Sequence, residues 1–363
     1  MKKYLLALSI CLSAIACKQT NNNNSTEKKT QKPAGKIEKI NLIKVNAPSR
    51  NFMISQNAPI NIKLEKKKTE SKIDSIKVYI DNVLIESKSG FTESLTISSA
   101  NLSMGSHSLK IKAFSNDVSE IERSRIRIKS DITPKERNCR IINTYKHDVE
   151  AYTQGLQYED GVLYESTGQY GKSSLRKTEL KTGTVNQFMN LENKYFGEGM
   201  CIVDDKIIQI TWYSQKGFIY EKESFRQIAT FQYGTQGWGI TYNGTHLIMS
   251  DGSNKLHFIE TNTYSEVKSI EVYDDKGPVK NINELEYVDG VIYANIWQTD
   301  YLVTIDPNSG KILSKVNCSK LVPAQLRNHT DHVLNGIAYN SKSKNFYLTG
   351  KYWDKMYEVK ISK

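Results

Sequence analysis

The chain is poor in proline and cysteine and has no long apolar run, and each shortage excludes a class of protein. Only 7 of its 363 residues are proline, so it is not a disordered, proline-rich chain. Its 5 cysteines include no CxxC pair, which argues against a cysteine zinc site. The apolar run near the N-terminus is too short for a membrane-spanning helix, which needs about 20 residues. Tyrosine, in contrast, is frequent, and its 21 residues favour a β-rich protein with much half-buried surface.

The net charge of +11 does not by itself indicate a nucleic-acid partner. Part of the excess lies between Lys18 and Lys39, where six Lys stand against two Glu. No basic cluster coincides with a recognisable nucleic-acid-binding motif. We therefore expect a protein that does not bind nucleic acid.

The N-terminal sequence "MKKYLLALSICLSAIAC" has a basic start, an apolar centre and small residues at its end. This order predicts a secretory signal peptide over residues 1–17. Small residues directly before a cysteine are typical of a bacterial lipoprotein processing site, so we expect a lipid on Cys17. An ordinary signal peptide with a chance cysteine is the alternative. Residues 18–36 are polar and predict a tether, which places the protein on the periplasmic or cell-surface side of a bacterial envelope.

Three further cysteines, Cys139, Cys201 and Cys318, are odd in number and widely spaced. Cys139 and Cys318 are candidates for a disulfide in an oxidising compartment, and the sequence leaves that pairing open. Cys201 lies in an apolar, strand-like run and is predicted to be a buried small residue.

Residues 37–132 consist of short runs in which apolar and polar residues alternate. Examples are "INIKLE", "SIKVYID" and "RSRIRIKS", with turn residues between the runs. The segment "MGSHSLKIKAF" resembles a strand of the immunoglobulin-like domains of bacterial surface proteins. These features predict a small immunoglobulin-like β-sandwich, whose default role is that of a spacer.

Residues 138–363 contain five related segments. Each has a polar or aromatic lead residue, then a small or acidic residue, an apolar residue, a turn and a second strand. The segments are "QGLQYEDGVLYES", "EGMCIVDDKIIQITW", "WGITYNGTHLIMSDG", "NELEYVDGVIYANIW" and "NGIAYNSKSKNFYLTGKYW". Their lead residues are Gln154, Glu198, Trp238, Asn283 and Asn335, which are 44, 40, 45 and 52 residues apart. Repeats of several strands at this period are the signature of a β-propeller.

Two more strand-like runs follow each of the first four segments, but only "KMYEVKI" follows the fifth. The missing outer strand is predicted to be "CRIINTYKH" at the start of the region, which would pair the two ends of the domain and close the ring. We therefore predict an all-β protein in which the sandwich precedes a five-bladed β-propeller.

In a propeller, the five lead residues surround one mouth of the central channel. They differ from one another and all but one are polar, as in a binding site built on a symmetric scaffold. The alternative is that they satisfy strand ends and ordered channel water.

The second strands add aromatic residues and a lysine near the same mouth. They contribute Trp212, Trp297 and Lys351, and Trp353 is expected close to Lys351. Burial beside indole rings raises the pKa of a carboxyl group, because it disfavours the charged form. Glu198 is thereby a candidate for proton transfer near neutral pH.

Several motifs resemble the plant and bacterial type of glutaminyl cyclase, the glutamine cyclotransferase family. They are "YTQGLQYEDGVLYESTGQYGKSSLRK", "YFGEGM", "ITWYSQKGFIY", "GWGI", "SDGS" and "NELEYVDGVIYANIWQTD", followed by "VLNGIAY" and "TGKYW". They match in order and spacing over nearly all of residues 138–363, but not over the sandwich or the tether. The resemblance implies a five-bladed β-propeller and an acyltransferase that converts N-terminal glutamine of peptides or proteins to pyroglutamate with release of ammonia.

The resemblance also implies residue roles. Glu198 corresponds to the proposed general acid/base and Lys351 to the basic group of the catalytic site. The substrate-binding residues implied by the resemblance are Tyr152, Gln154, Phe196, Trp212, Trp238, Asn283 and Trp297. Asn335 is expected to join them because it is the lead residue of the fifth repeat. Tyr152 stands where the family usually has Phe. The donor to the developing oxyanion is left open among Lys351, Asn283 and a tryptophan N–H.

No metal or other cofactor is required by this chemistry, and a monomer is expected. The animal-type enzyme uses zinc, but no matching ligand set is present, and "HTDH" at residues 329–332 is more typical of a loop. A structural cation in the propeller channel is left open. The rival interpretations are a non-catalytic envelope propeller that binds partners and a calcium-dependent, lactonase-like propeller. The second would need several carboxylates at the channel, whereas Glu198 is the only acidic lead residue.

Overall fold

The computed structural model describes residues 41–327 and 329–362. The predicted signal peptide, Cys17 and the tether therefore lie outside the described residues. The described part is built of β-strands with one short 3-10 helix, Ala324–Leu326, which confirms an all-β protein. Among these residues no helix is long and apolar enough to cross a membrane.

The N-terminal part consists of two sheets that share one hydrophobic core. Its strands are β1 (Ile43–Ala47), β2 (Phe52–Ser55), β3 (Pro59–Lys66), β4 (Ser75–Ile80), β5 (Val83–Ser89), β6 (Ser94–Ser98), β7 (Gly105–Ser115) and β8 (Val118–Lys129). The sheets have the orders β1-β3-β6 and β2-β8-β7-β4-β5. In β3 the alternate residues Ile60, Ile62 and Leu64 are buried, because a strand of period two turns one face to the core. This arrangement agrees with the predicted immunoglobulin-like sandwich.

The rest of the described chain folds into sheets whose neighbouring strands are antiparallel, except for one parallel pair, β25 and β9. Its strands are β9 (Lys135–Lys146), β10 (Thr153–Glu159), β11 (Val162–Thr167), β12 (Ser174–Glu179), β13 (Val185–Asn190), β14 (Gly197–Val203), β15 (Lys206–Thr211), β16 (Lys216–Glu221), β17 (Gln227–Gln232), β18 (Ile240–Tyr242), β19 (His246–Ser250), β20 (Lys255–Glu260), β21 (Glu266–Glu271), β22 (Ile282–Val288), β23 (Val291–Ile296), β24 (Tyr301–Ile305), β25 (Ile312–Asn317), β26 (Leu334–Asn340), β27 (Asn345–Gly350) and β28 (Lys355–Ile361). Strands β10–β13, β14–β17 and β18–β21 form three four-stranded sheets, and an eight-stranded sheet has the order β22-β23-β24-β25-β9-β28-β27-β26.

Strand β9 joins the start of this body to its end. Its first residues pair in parallel with β25, and the remainder pairs antiparallel with β28. The predicted pairing of "CRIINTYKH" with the last strand is thus confirmed. The strand starts at Lys135, before the predicted domain start at residue 138.

The first strands of the sheets lie together in the middle of the body. Strands β10, β14, β18, β22 and β26 contact one another in this order, and β26 also contacts β10. The body is therefore propeller-like. The approach is close: a Cβ on Gly199 would lie 2.7 Å from the backbone nitrogen of Ile240, and one on Gly155 would lie 2.4 Å from that of Met200. Packing thus explains why glycine follows these lead residues.

The sandwich packs against the body through a buried tyrosine. Tyr273 lies between β21 and β22, yet its ring is part of the core of the sandwich and is 3% exposed. Around it, Lys311 Nζ forms an ion pair with Asp131 at 2.7 Å, and Thr133 Oγ1 donates to Asp275 at 2.9 Å.

Candidate active site

Four of the five lead residues lie at irregularities of their strands. The hydrogen-bonded register of β10, β14, β22 and β26 shifts at Gln154, Glu198, Asn283 and Asn335, respectively. Such bulges turn a side chain out of the regular alternation and are frequent beside active sites. For Gln154, Glu198 and Asn283 they explain how side chains from different inner strands reach one cavity.

A cavity of about 610 Å³ lies where the inner strands begin, within the usual range for small-ligand sites. Nine of the predicted site residues line it: Tyr152, Gln154, Phe196, Glu198, Trp212, Trp238, Asn283, Trp297 and Lys351. Its other lining residues were not predicted from the sequence and are Gln169, Tyr170, Tyr213, Gln236 and Asp331.

Glu198 is held by its backbone, and its carboxyl group is left to the cavity. The amide of Gly199 donates to the carbonyl oxygen of Trp238 at 2.8 Å, and Ser166 Oγ donates to the carbonyl oxygen of Glu198. Within the described residues the carboxyl group has no hydrogen-bond partner. Burial raises its pKa well above the ordinary value, and the positive charge of Lys351 only partly opposes this.

Lys351 is the cation of the cavity, and its ammonium group is almost fully buried. Burial lowers its pKa to about 8, against the opposing influence of Glu198 and Asp331. Its Nζ lies 4.4 Å from the centre of the Tyr152 ring, in a cation–π contact. The cavity therefore contains a carboxyl group and an amine whose pKa values are both displaced towards neutrality.

The walls of the cavity are aromatic rings in edge-to-face contact. Phe196 contacts Trp212 with ring centres 5.4 Å apart and Tyr152 with ring centres 6.0 Å apart. On the other side, Trp238 and Trp297 lie perpendicular at 5.7 Å. Such packing fixes the rings and leaves a rigid, largely apolar pocket with few charges.

Gln236 connects two of these walls. Its Oε1 accepts hydrogen bonds from Nε1 of Trp212 at 2.8 Å and Nε1 of Trp238 at 3.0 Å. Both indole N–H groups are therefore occupied by the protein. Of the tryptophan N–H donors considered for the oxyanion, the one on Trp297 has no partner among the described residues.

Asn335 is the one predicted substrate-binding residue that does not line the cavity. It is fully buried, and its Nδ2 donates to the carbonyl oxygen of Thr153 at 2.9 Å and to Gln154 Oε1 at 3.3 Å. Its side chain turns towards β10 because the inner strands β26 and β10 are neighbours. Asn335 thus supports Gln154 from behind.

Trp353, two residues past Lys351, does not line the cavity. Its ring is 0% exposed in the core of the last sheets, and its Nε1 donates to the carbonyl oxygen of His332. The "HTDH" segment lies outside the strands, as predicted, with the rings of His329 and His332 stacked at 4.6 Å. Within the described residues no three potential ligand side chains are grouped to hold a metal ion.

The cysteines of the described part are free thiols. Cys201 is buried among apolar residues, as predicted. Cys139 and Cys318 lie in contact, and the pKa of the Cys139 thiol is lowered, first of all by its hydrogen bond with Cys318.

The five unpredicted lining residues share one property, which is that they lie in connections and not at repeat positions. Tyr213 directly follows Trp212, and Gln236 precedes Trp238 by two residues, so adjacency to a motif was the available signal. Tyr170 and Tyr213 are 54% and 59% exposed, which places them at the rim. Asp331 belongs to the "HTDH" segment, which the sequence predicted to be a loop without a metal and did not link to the cavity.

The fold and the cavity together define a propeller-like protein with a buried carboxyl group and a buried amine between aromatic walls. A sequence model of the glutamine cyclotransferase family matches residues 112–361, and a model of a bacterial Ig domain matches residues 42–111. The chain therefore belongs to the glutamine cyclotransferase family.

Two relatives show how far the similarity extends. The glutaminyl-peptide cyclotransferase of Arabidopsis thaliana is 35% identical over 235 residues, which are 64% of this chain and 73% of that protein. The crystal structure of Myxococcus xanthus glutaminyl cyclase has a TM-score of 0.59 at 34% identity and covers 63% of this chain and 98% of its own.

Proposed function

We propose that the cavity binds an N-terminal glutamine and that Glu198 moves the proton needed to close it to pyroglutamate. Membership of the family supports a glutaminyl-peptide cyclotransferase, an acyltransferase that acts on peptides or proteins with N-terminal glutamine. The observation that carries the mechanism is the buried pair of Glu198 and Lys351 inside the aromatic pocket.

The chemistry requires one proton carrier and a bent substrate. The neutral α-amino nitrogen attacks the side-chain carboxamide carbon, a C–N bond forms, and the original C–NH₂ bond breaks. Glu198 accepts a proton from the attacking amine and returns it to the leaving nitrogen, which departs as ammonia. No other reactant is consumed. Because the reaction is intramolecular, much of the catalysis consists of holding the reactive conformation.

The remaining residues have supporting roles in this scheme. Five aromatic rings confine the aliphatic part of the glutamine, those of Tyr152, Phe196, Trp212, Trp238 and Trp297. Lys351 stabilises the ionised form of Glu198 and is a candidate donor to the oxyanion, together with Asn283 and the N–H of Trp297. Gln154, held by Asn335, is a hydrogen-bonding partner for the substrate.

The mechanism is tested by ammonia release from a glutamine-initiated dipeptide, with EDTA present. We expect activity that survives the chelator, because the scheme contains no metal or other cofactor, and that disappears in Glu198→Gln. A well-folded protein without activity would favour a binding propeller instead. Loss of activity on chelation would indicate a required cation and contradict the metal-independent scheme.

We further propose that the body is a five-bladed propeller that functions as a monomer. The five repeats, the cyclic contacts of the inner strands and the pairing of β9 with β28 support this blade count. In this scheme β26, β27, β28 and β9 form the fifth blade. An experimental structure tests the count, and light scattering tests the monomer.

We also propose that the protein is exported and anchored through a lipid on Cys17, as its N-terminal sequence supports. Mass spectrometry of the mature protein from cells should find an acylated N-terminal cysteine. A Cys17→Ser variant is expected to leave the membrane fraction, and a variant that stays there would contradict the lipoprotein assignment.

A further inference from the structure

Gln236 has one amide atom engaged with the protein and one that is free. Its Oε1 accepts from Trp212 and Trp238, while its Nε2 has no partner among the residues the structure describes. An indole N–H can only donate, so the atom between the two indoles must be the oxygen. The orientation of the amide is therefore fixed, and the NH₂ group is the end that remains for a ligand.

The position of Gln236 indicates which part of a substrate this donor meets. Gln236 lines the cavity but is half-buried, whereas Glu198 is almost fully buried. The side-chain carboxamide of the substrate must reach Glu198, so it occupies the inner part of the cavity. The peptide chain must leave through the outer part, where the exposed ring of Tyr213 packs on Trp212 with ring centres 4.2 Å apart.

We propose that Gln236 is a substrate-positioning residue with two functions. Its Oε1 holds the indoles of Trp212 and Trp238 in place, and its Nε2 donates to the carbonyl oxygen of the peptide bond that follows the N-terminal glutamine. This inference rests on the proposed cyclotransferase function and deepens it, since it names a determinant of peptide binding. The interaction is made in the ground state and the transition state alike, so it acts on KM more than on kcat.

Two variants separate the two functions. Gln236→Glu keeps an acceptor for both indoles and removes the donor, whereas Gln236→Met keeps the length of the side chain and removes both. Gln227→Glu, the same change at an exposed position on β17, is the matched control. Steady-state kinetics with a glutamine-initiated dipeptide amide across the pH range, together with tryptophan fluorescence, are the measurements.

We expect Gln236→Glu to raise KM roughly three- to tenfold, the value of one hydrogen bond, with kcat and fluorescence close to those of the parent on the pH plateau. Gln236→Met should raise KM further and shift the fluorescence, because two indoles lose their acceptor. An unchanged KM in Gln236→Glu, or a fall in kcat alone, would overturn the peptide-carbonyl assignment. Unchanged fluorescence in Gln236→Met would overturn the clamp. An inactive parent protein would instead refute the proposed function.

Discussion

Two buried carboxyl groups, Glu198 and Glu284, lie on inner strands β14 and β22, and they are used in opposite ways. Both are almost fully buried, and burial raises the pKa of both well above the ordinary value. Both oxygens of Glu284 are occupied, by the amides of Leu156 at 3.2 Å and Ile337 at 2.9 Å. The carboxyl group of Glu198 has no such partners in the described part of the chain and lines the cavity.

A displaced pKa alone therefore does not distinguish a structural carboxyl group from a candidate proton carrier. Glu284 stands at the position where other repeats have glycine, and it ties β22 to the inner strands β10 and β26. Its hydrogen bonds replace water that the interior cannot supply. Only the carboxyl group with free oxygens beside a cavity is available to a substrate.

The largest effect is expected for Glu198→Gln. The amide cannot carry the proton, so kcat should fall by about 10²- to 10⁴-fold, the usual contribution of a general acid–base group. Ammonia release under saturating substrate measures it. Retained turnover in a folded variant would remove Glu198 from the mechanism.

Lys351→Met is expected to have the next largest effect. Without the nearby cation, the ionised form of Glu198 is less stable, so its pKa rises further and the acidic limb of the pH–rate profile moves to higher pH. The loss in kcat/KM should be roughly ten- to a hundredfold, the value of an interaction with a charged group. If the acidic limb of the variant's pH–rate profile lies at the same pH as that of the parent, Lys351 does not influence the ionisation of Glu198.

Glu284→Gln should reverse the pattern and affect stability more than activity. The amide offers only one acceptor, so one of the two backbone N–H groups is left unsatisfied at a cost of about 1–3 kcal/mol in the free energy of unfolding. Denaturant titration measures the loss, and kcat should stay within a few-fold of the parent. If Glu284→Gln kept full stability but lost turnover, Glu284 would have a catalytic role and not the structural role assigned to it.

The smallest effect concerns how stability depends on pH. The unfolded chain ionises Glu198 near its ordinary pKa of 4.5, whereas the folded state resists ionisation until its raised pKa is reached. Glu198 therefore reduces stability increasingly as the pH rises above about 4.5. The melting temperature of Glu198→Gln relative to the parent should increase between pH 4 and pH 8. A difference that does not change with pH would contradict the raised pKa.

The repeats, together with the family resemblance that added Tyr152 and Phe196, made most of the site predictable. Each repeat begins with an inner strand, and equivalent positions of the repeats lie around one axis. Residues distant in sequence, such as Gln154 and Trp297, could therefore be assigned to one cavity from their positions in the repeats. Asn335, the one predicted substrate-binding residue outside the cavity, and Trp353 are oriented by local causes. Asn335 turns towards a neighbouring inner strand, and Trp353 lies beyond a turn that directs its ring into the core. Repeat position indicates where a residue lies but not where its side chain points.

The rim could not be predicted in the same way. Gln169, Gln236 and Asp331 lie in connections whose paths depend on tertiary packing, and no periodic pattern marks them. Gln236 shows this most clearly, because its importance depends on two indoles from different repeats meeting at one oxygen.

The ring of Tyr273 bears on how this protein is divided into modules. One family model matches residues 42–111 and another residues 112–361, although the sandwich itself continues through β8 to Lys129. Tyr273, which lies in the body between β21 and β22, completes the interior of the sandwich. Recombination that joined this catalytic body to a different N-terminal domain would expose the ring of Tyr273. We therefore expect the sandwich and the body to be inherited together. Any sandwich that replaced this one would need a residue that packs against Tyr273.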